Sequence, residues 1–128
     1  MTKKLSCIFL VDDDSDVNMI VTYLINKENL AEKIATALNG EEALDYLKKN
    51  PPPDLILLDI NMPRMNGWEF LEEYKKLSSE IRQSVVIVMV TVSLNPEDRE
   101  RAEQTGIAFV NKPLTAAVLR KIIDDHWG

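Results

Sequence analysis

The sequence predicts an α/β fold: a doubly wound, five-stranded parallel sheet in the order 2-1-3-4-5 with five helices. Three observations predict it. Short β-branched runs alternate with segments of helical period, five of each, and such alternation builds a parallel sheet with helices on both faces. The strongest runs, at 7–11, 55–58 and 85–90, are continuously apolar, as strands covered on both faces are. The chain has 128 residues, 45% apolar and 28% charged, which is the size and balance of one domain with its own core. At this size the order 2-1-3-4-5 is the natural arrangement, with the weak second strand at an edge.

Each element has its own reason. Cys7–Val11 is an apolar strand, and Val17, Ile20, Val21, Leu24 and Ile25 then recur at the spacing of one helix face. The more polar run Lys33–Ala37 reads as an edge strand. Asn39 caps the next helix, with Glu42 three residues later and Ala43, Leu44 and Leu47 facing inward. Pro51, Pro52 and Pro53 stop that helix before the buried strand Leu55–Leu58. Phe70, Leu71, Tyr74 and Leu77 form a third helical stripe, followed by the strand Val85–Val90. Asn95 and Pro96 start a helix as cap and first-turn proline. Ile107–Val110 is the last strand, and Val118, Leu119, Ile122 and Ile123 line a last helix capped by Thr115.

Composition excludes several classes. Fifteen Lys and Arg against 21 Asp and Glu leave a net charge of −6, which disfavours nucleic acid and anionic membrane surfaces as partners. The longest apolar runs are about six residues, far short of the ~20 a membrane span needs. The N-terminus lacks the long apolar stretch of a signal peptide, so the cytoplasm is the expected compartment. Cys7 has no partner for an internal disulfide and reads as a small buried hydrophobe. His126 is the sole histidine and sits at the end of the last helix, a poor place for a base or ligand. The methionines read as packing residues, and Trp68 and Trp127 are not interleaved with basic residues as base-stacking aromatics would be.

In doubly wound sheets, ligands bind outside the carboxyl ends of the strands. Strand one ends in Asp12, Asp13 and Asp14, strand three in Asp59, strand four in Thr91, and strand five in Asn111, Lys112 and Pro113. Clustered carboxylates repel and raise one another's pKa unless a cation relieves them. Mg²⁺, a hard cation that takes oxygen ligands, suits such a set. Thr91 could donate to a phosphoryl oxygen, Lys112 could balance its charge, and a central carboxylate could act as nucleophile to give an aspartyl phosphate. Taken alone, Asp12, Asp13 and Asp14 are equally turn and cap residues, and Asp14 and Asp16 read as first-turn acids facing the helix dipole.

The runs IFLVDDDS, DLILLDINMPRMNG, VMVT and VNKPL, in this order at strand ends, together resemble a response-regulator receiver domain of the single-domain, CheY-like type. The likeness runs over roughly residues 5–126. It implies the flavodoxin-like version of the fold, a single receiver domain over 1–128, and a signalling switch rather than an enzyme of metabolism. It implies Asp59 as phospho-acceptor, Asp12 and Asp13 as the acidic pair holding Mg²⁺ with Asp59, and Asn61 as the backbone-carbonyl ligand. It further implies Thr91 as switch hydroxyl, Lys112 as the partner of the acceptor, a cis bond before Pro113, and a positive φ at Gly67 in the loop after the acceptor. Phe109 falls at a switch aromatic position and lacks a hydroxyl, so its switching would act through packing. Val92 stands where the family usually carries a smaller residue, as a gate over the acceptor.

The implied partners are a sensor histidine kinase or phosphotransfer protein, and a downstream protein on the face of the fourth helix, fifth strand and fifth helix. That fourth helix, at 96–104, is polar nearly all round, with Ala102 its main apolar contact. The chain ends soon after the last helix, so no separate output domain is expected. Two rival readings are a degenerate receiver acting as a scaffold and a metal-dependent phosphohydrolase built on Asp12-x-Asp14. An FMN-binding module of the same topology is disfavoured because the acidic run would repel its phosphate.

Overall fold

The computed structural model describes residues 2–92 and 95–128. Its strands are β1 (Leu5–Val11), β2 (Ala31–Ala37), β3 (Leu55–Asp59), β4 (Val86–Thr91) and β5 (Ala108–Asn111). All pair in parallel, in the order β2-β1-β3-β4-β5. The helices are α1 (Ser15–Lys27), α2 (Gly40–Lys49), α3 (Gly67–Tyr74), α4 (Ser79–Arg82), α5 (Pro96–Thr105) and α6 (Ala116–Trp127). The fourth and fifth helices expected from the sequence are therefore α5 and α6.

The sheet alternates its burial. Phe9, Val11, Ile56 and Leu58 face a core closed by α2, α3 and Ala102 of α5. Ile8, Leu10, Leu55 and Leu57 face the opposite core, closed by Val21 and Ile25 of α1 and by Leu119, Ile122 and Ile123 of α6. Successive strand residues point to opposite faces, and both faces are covered, which is why β1 and β3 read as unbroken apolar runs. Truncating a fully buried ring such as Phe9 or Phe70 would cost about 3–5 kcal/mol. β2 lies at an edge, with Glu32 and Lys33 exposed, which accounts for its more polar sequence.

The helix starts follow their capping chemistry. The side chains of Asn39, Asn66, Asn95 and Thr115 each accept the backbone N–H three residues on, satisfying a donor the helix leaves unpaired. Asp14 is the N-cap of α1, accepting from the Asp16 and Val17 amides, rather than a first-turn acid. Gly106, at φ 73°, ends α5 in the left-handed conformation, as glycine permits.

Among the described residues, six helices stand where five were expected. The extra one, α4, is a single turn with no buried residue and no side-chain cap, so neither periodicity nor capping announced it. Strand ends shift by one or two residues: β1 begins at Leu5, β2 at Ala31, β4 ends at Thr91 and β5 at Asn111. The third helix stops at Tyr74, leaving Leu77 in the following turn. No described helix is long and apolar enough to cross a membrane.

Candidate functional site

Parallel pairing brings the carboxyl ends of β1, β3, β4 and β5 to one rim. In register, Asp59 lies opposite Val90 and Thr91 opposite Asn111. Asp12 directly follows β1, while Asp59 and Thr91 are the last residues of their strands. All three are buried, and Asp13 is exposed. Lys112 follows β5, and its amide donates to the Thr91 carbonyl at 2.7 Å. The Lys112–Pro113 peptide bond is cis.

Lys112 reaches back over the acids. Its Nζ lies 2.7 Å from Asp12 Oδ2 and 3.5 Å from Asp59 Oδ1. The other Asp12 oxygen accepts the Asp14 amide at 2.9 Å, and the Asn61 amide donates to Asp59 Oδ1 at 3.4 Å. Burial, with the Asp12 charge second, pushes the Asp59 carboxyl up to about 6 against the opposing pull of Lys112 and the Asn61 amide. At Lys112 burial disfavours the charge, yet the hydrogen bond and attraction of Asp12 and the charge of Asp59 outweigh it and raise its pKa.

Asp12, Asp13 and Asp59 each offer one carboxylate oxygen, and these atoms lie within 4.8 Å of one another. Three such oxygens around one point match a small, hard divalent cation, whose bonds to oxygen are ~2.0–2.1 Å for Mg²⁺. The donor set thus fits Mg²⁺ and offers nothing to a softer metal. Asp14 is engaged as a helix cap, so the Asp-x-Asp pair a phosphohydrolase would need is not presented to this centre. Beside the acids lies a cavity of about 130 Å³, lined by Asp12, Asp59, Lys112 and Pro113 and walled by Val17 and Ile20 of α1.

The remaining residues singled out by the sequence are spread around this centre. Phe109 of β5 is half-buried opposite Met89, against the α3 side of the sheet. Val92, next to Thr91, is 73% exposed and is not among the residues lining the cavity. Gly67 does not take a positive φ; in that loop Arg64 does, at 66°. Glycine serves another purpose there: a Cβ at 67 would lie 2.8 Å from the Asp59 carbonyl oxygen.

One positioning residue escaped the sequence reading. Asn18, buried on the inner face of α1, donates from Nδ2 to the Asp12 backbone carbonyl at 3.0 Å. Its signal was a polar residue three before Val21 on the apolar stripe, at a place where a buried amide needs a partner.

Comparison with known proteins agrees with this geometry. The family model of the response regulator receiver domain matches residues 8–124. The protein-glutamate methylesterase/protein-glutamine glutaminase of Escherichia coli is 38% identical over 104 residues, 80% of this chain and 29% of that protein. The protein of the same name from Halalkalibacterium halodurans is 33% identical over 107 residues, 83% of this chain and 30% of that protein. The chain thus spans less than a third of the length of these curated relatives. Among solved structures, a two component response regulator from Cytophaga hutchinsonii superposes with a TM-score of 0.86 at 30% identity, covering 96% of this chain and 97% of that one. Chemotaxis protein CheY4 of Vibrio cholerae gives 0.80 at 26% identity, covering 95% and 98%.

Proposed function

The chain belongs to the response regulator receiver domain family, and on that footing we propose that Asp59 is the phosphoryl acceptor of a two-component signalling switch. The observation that carries this is the convergence of three carboxylate oxygens within 4.8 Å under one lysine that reaches both Asp12 and Asp59.

Asp12, Asp13, Asp59 and the Asn61 carbonyl are the residues that would hold Mg²⁺, which supplies neutralising charge for the phosphoryl oxygens. An Asp59 carboxylate oxygen attacks the phosphorus of a phosphohistidine on a partner kinase or phosphotransfer protein. The P–N bond breaks, and its electron pair and a proton stay with the imidazole. Asp59 must be ionised to attack; burial and the Asp12 charge raise its carboxyl to about 6, and a bound cation would favour its charged form. The phosphoryl group brings about −1.5 to −2 of charge. Lys112 turns toward it, and Thr91 donates its hydroxyl. Moving a two-state equilibrium from 1:99 to 99:1 needs ~5.5 kcal/mol of differential interaction, within reach of two or three charge-assisted contacts. Hydrolysis by water later returns phosphate and the free carboxylate.

The chemistry we assign is confined to this acceptor; the esterase and glutaminase of the relatives' names belong to proteins more than two thirds of whose length lies outside the match. Met19, Ile20 and Tyr23 are exposed on α1, and Ile20 also lines the cavity over Asp59, so a donor covering the acceptor would bury this apolar patch. The output we assign to docking of a downstream protein on α5, β5 and α6, with Phe109 and Thr91 linking that face to Asp59, and the compartment to the cytoplasm. The test is transfer from a phosphohistidine-bearing kinase domain labelled with ³²P. Label should pass to the wild type with Mg²⁺ and be absent from Asp59→Asn and from EDTA-treated samples. Transfer to Asp59→Asn would refute the assignment.

A further inference from the structure

We propose that Trp68, Asp98 and Arg101 form a latch that holds α5 against α3 in the unphosphorylated protein and is released on phosphorylation, a proposal that rests on the acceptor role given to Asp59. The helix has little else to hold it. Of the described residues of α5, only Ala102 is buried, so apolar burial, the usual anchor of a helix, is nearly absent. What crosses from α5 to its neighbours is polar and aromatic. Trp68 Nε1 donates to Asp98 Oδ1 at 2.8 Å. The Arg101 guanidinium lies over the Trp68 ring, 5.2 Å from its centroid, and that of Arg99 lies 5.7 Å from the centroid of Phe109.

One half of the Trp68–Asp98 contact is tied to the loop after Asp59, and the other lies close in sequence to Thr91. Trp68 follows Gly67, whose amide donates to the Ile60 carbonyl at 2.8 Å and whose missing Cβ lets α3 press on the Asp59 carbonyl. Asp98 sits in the first turn of α5, where its own amide donates to the Asn95 cap at 2.8 Å, and Asn95 is only four residues beyond Thr91. A Thr91 hydroxyl drawn toward a phosphoryl group on Asp59 pulls on the start of α5, while Trp68 stays fixed to the acceptor loop. The indole–carboxylate bond spans the two parts that must separate. Hydrogen bonds and cation–π contacts are directional and individually modest, so such a joint gives way over a small displacement, where a broad apolar seam would not.

Two measurements test the latch. The first is amide hydrogen exchange in unmodified wild type, Trp68→Phe, Asp98→Ala and Asp98→Asn. Phenylalanine keeps a buried aromatic ring but removes the indole donor and part of the face that Arg101 covers, whereas Asp98→Ala removes only the acceptor and asparagine keeps the accepting oxygen. Exchange across 96–105 should quicken about three- to tenfold in Trp68→Phe and Asp98→Ala, as loss of one hydrogen bond allows, and stay near wild type in Asp98→Asn. Unchanged exchange in both of the first two variants would overturn the proposal.

The second uses Trp127→Phe, leaving Trp68 as the sole tryptophan. Its emission is followed with Mg²⁺ and acetyl phosphate while intact mass reports the adduct. Phosphorylation should shift the Trp68 emission and raise α5 exchange to the Trp68→Phe level, with neither change in the additional presence of Asp59→Asn. A full adduct with unaltered emission and exchange would overturn the release step. An adduct absent both here and after adding Val92→Ala would instead overturn the acceptor role and the release built on it, and the exchange comparison of unmodified variants would still decide whether the latch exists.

Discussion

The Lys112 ammonium lies 2.7 Å from Asp12 and 3.5 Å from Asp59, so it is closer to the proposed metal ligand than to the proposed acceptor. The lysine supplies the positive charge that three neighbouring carboxylates demand, and it competes with a divalent cation for Asp12. Lys112→Met should therefore bind Mg²⁺ more tightly, by roughly threefold to tenfold given the ~0.6–1.4 kcal/mol scale of partly exposed charge pairs. Titration calorimetry measures it. Weaker Mg²⁺ binding in Lys112→Met would show that the lysine organises the site rather than competes for it.

Burial and the Asp12 charge place the Asp59 carboxyl in an accessible range. The folded protein holds Asp59 at about 6, above its ordinary 3.8. Between those values the folded state binds more protons than the unfolded state, so this group lowers stability as pH rises through that window and levels off above it. Asp59→Asn removes the penalty. It should be more stable than wild type at pH 7.5 without metal by on the order of 3 kcal/mol, with the gap shrinking toward pH 4. Urea melts at the two pH values check it, and a gap independent of pH would contradict the assignment.

Gly67 is set by a close approach rather than by a left-handed backbone. A methyl group there meets the Asp59 carbonyl oxygen at 2.8 Å and the Ile60 Cα at 2.9 Å, and backbone cannot swing aside as a long side chain can. Gly67→Ala should destabilise by about 1–3 kcal/mol, the range of overpacking. It should also slow phosphorylation by displacing the loop that carries Asn61. A thermal melt and the adduct rate read the two effects separately.

Val92 offers a test of donor access with little structural side effect. The side chain is 73% exposed, so Val92→Ala should change stability by no more than about 0.5 kcal/mol. If this residue gates the acceptor, the same change should speed phosphorylation by acetyl phosphate at fixed Mg²⁺ several-fold. Equal rates in the two proteins would remove Val92 from the account.

The parts of this molecule legible in its sequence are those whose physics is local or periodic. β3 is buried on both faces, and LILL could hardly be anything else; Asn39, Asn95 and Thr115 announced helix starts because capping is a short-range bond. The site was legible because parallel strands deliver their ends to one rim, which places Asp12, Asp59, Thr91 and Lys112 together from strand order alone. Contacts over long sequence separations were not legible. Trp68 and Asp98 are 30 residues apart, and neither has a local pattern that calls for the other, so Trp68 was read only as a residue with no basic neighbours to suggest stacking. Asn18 was hidden among the apolar positions of α1. The turn α4 buries nothing, and burial is what makes a helix readable. The family resemblance points to a positive φ permitted at Gly67, whereas the packed structure needs the glycine for its missing Cβ.

The most direct test of Asp59 as acceptor is intact-protein mass after incubation with acetyl phosphate and Mg²⁺. Wild type should gain a single phosphoryl group, lost on adding EDTA before the donor, and Asp59→Asn should gain none. An adduct of the same size on Asp59→Asn, or none on wild type and none on Val92→Ala, would contradict the account and leave a receiver fold that works as a scaffold.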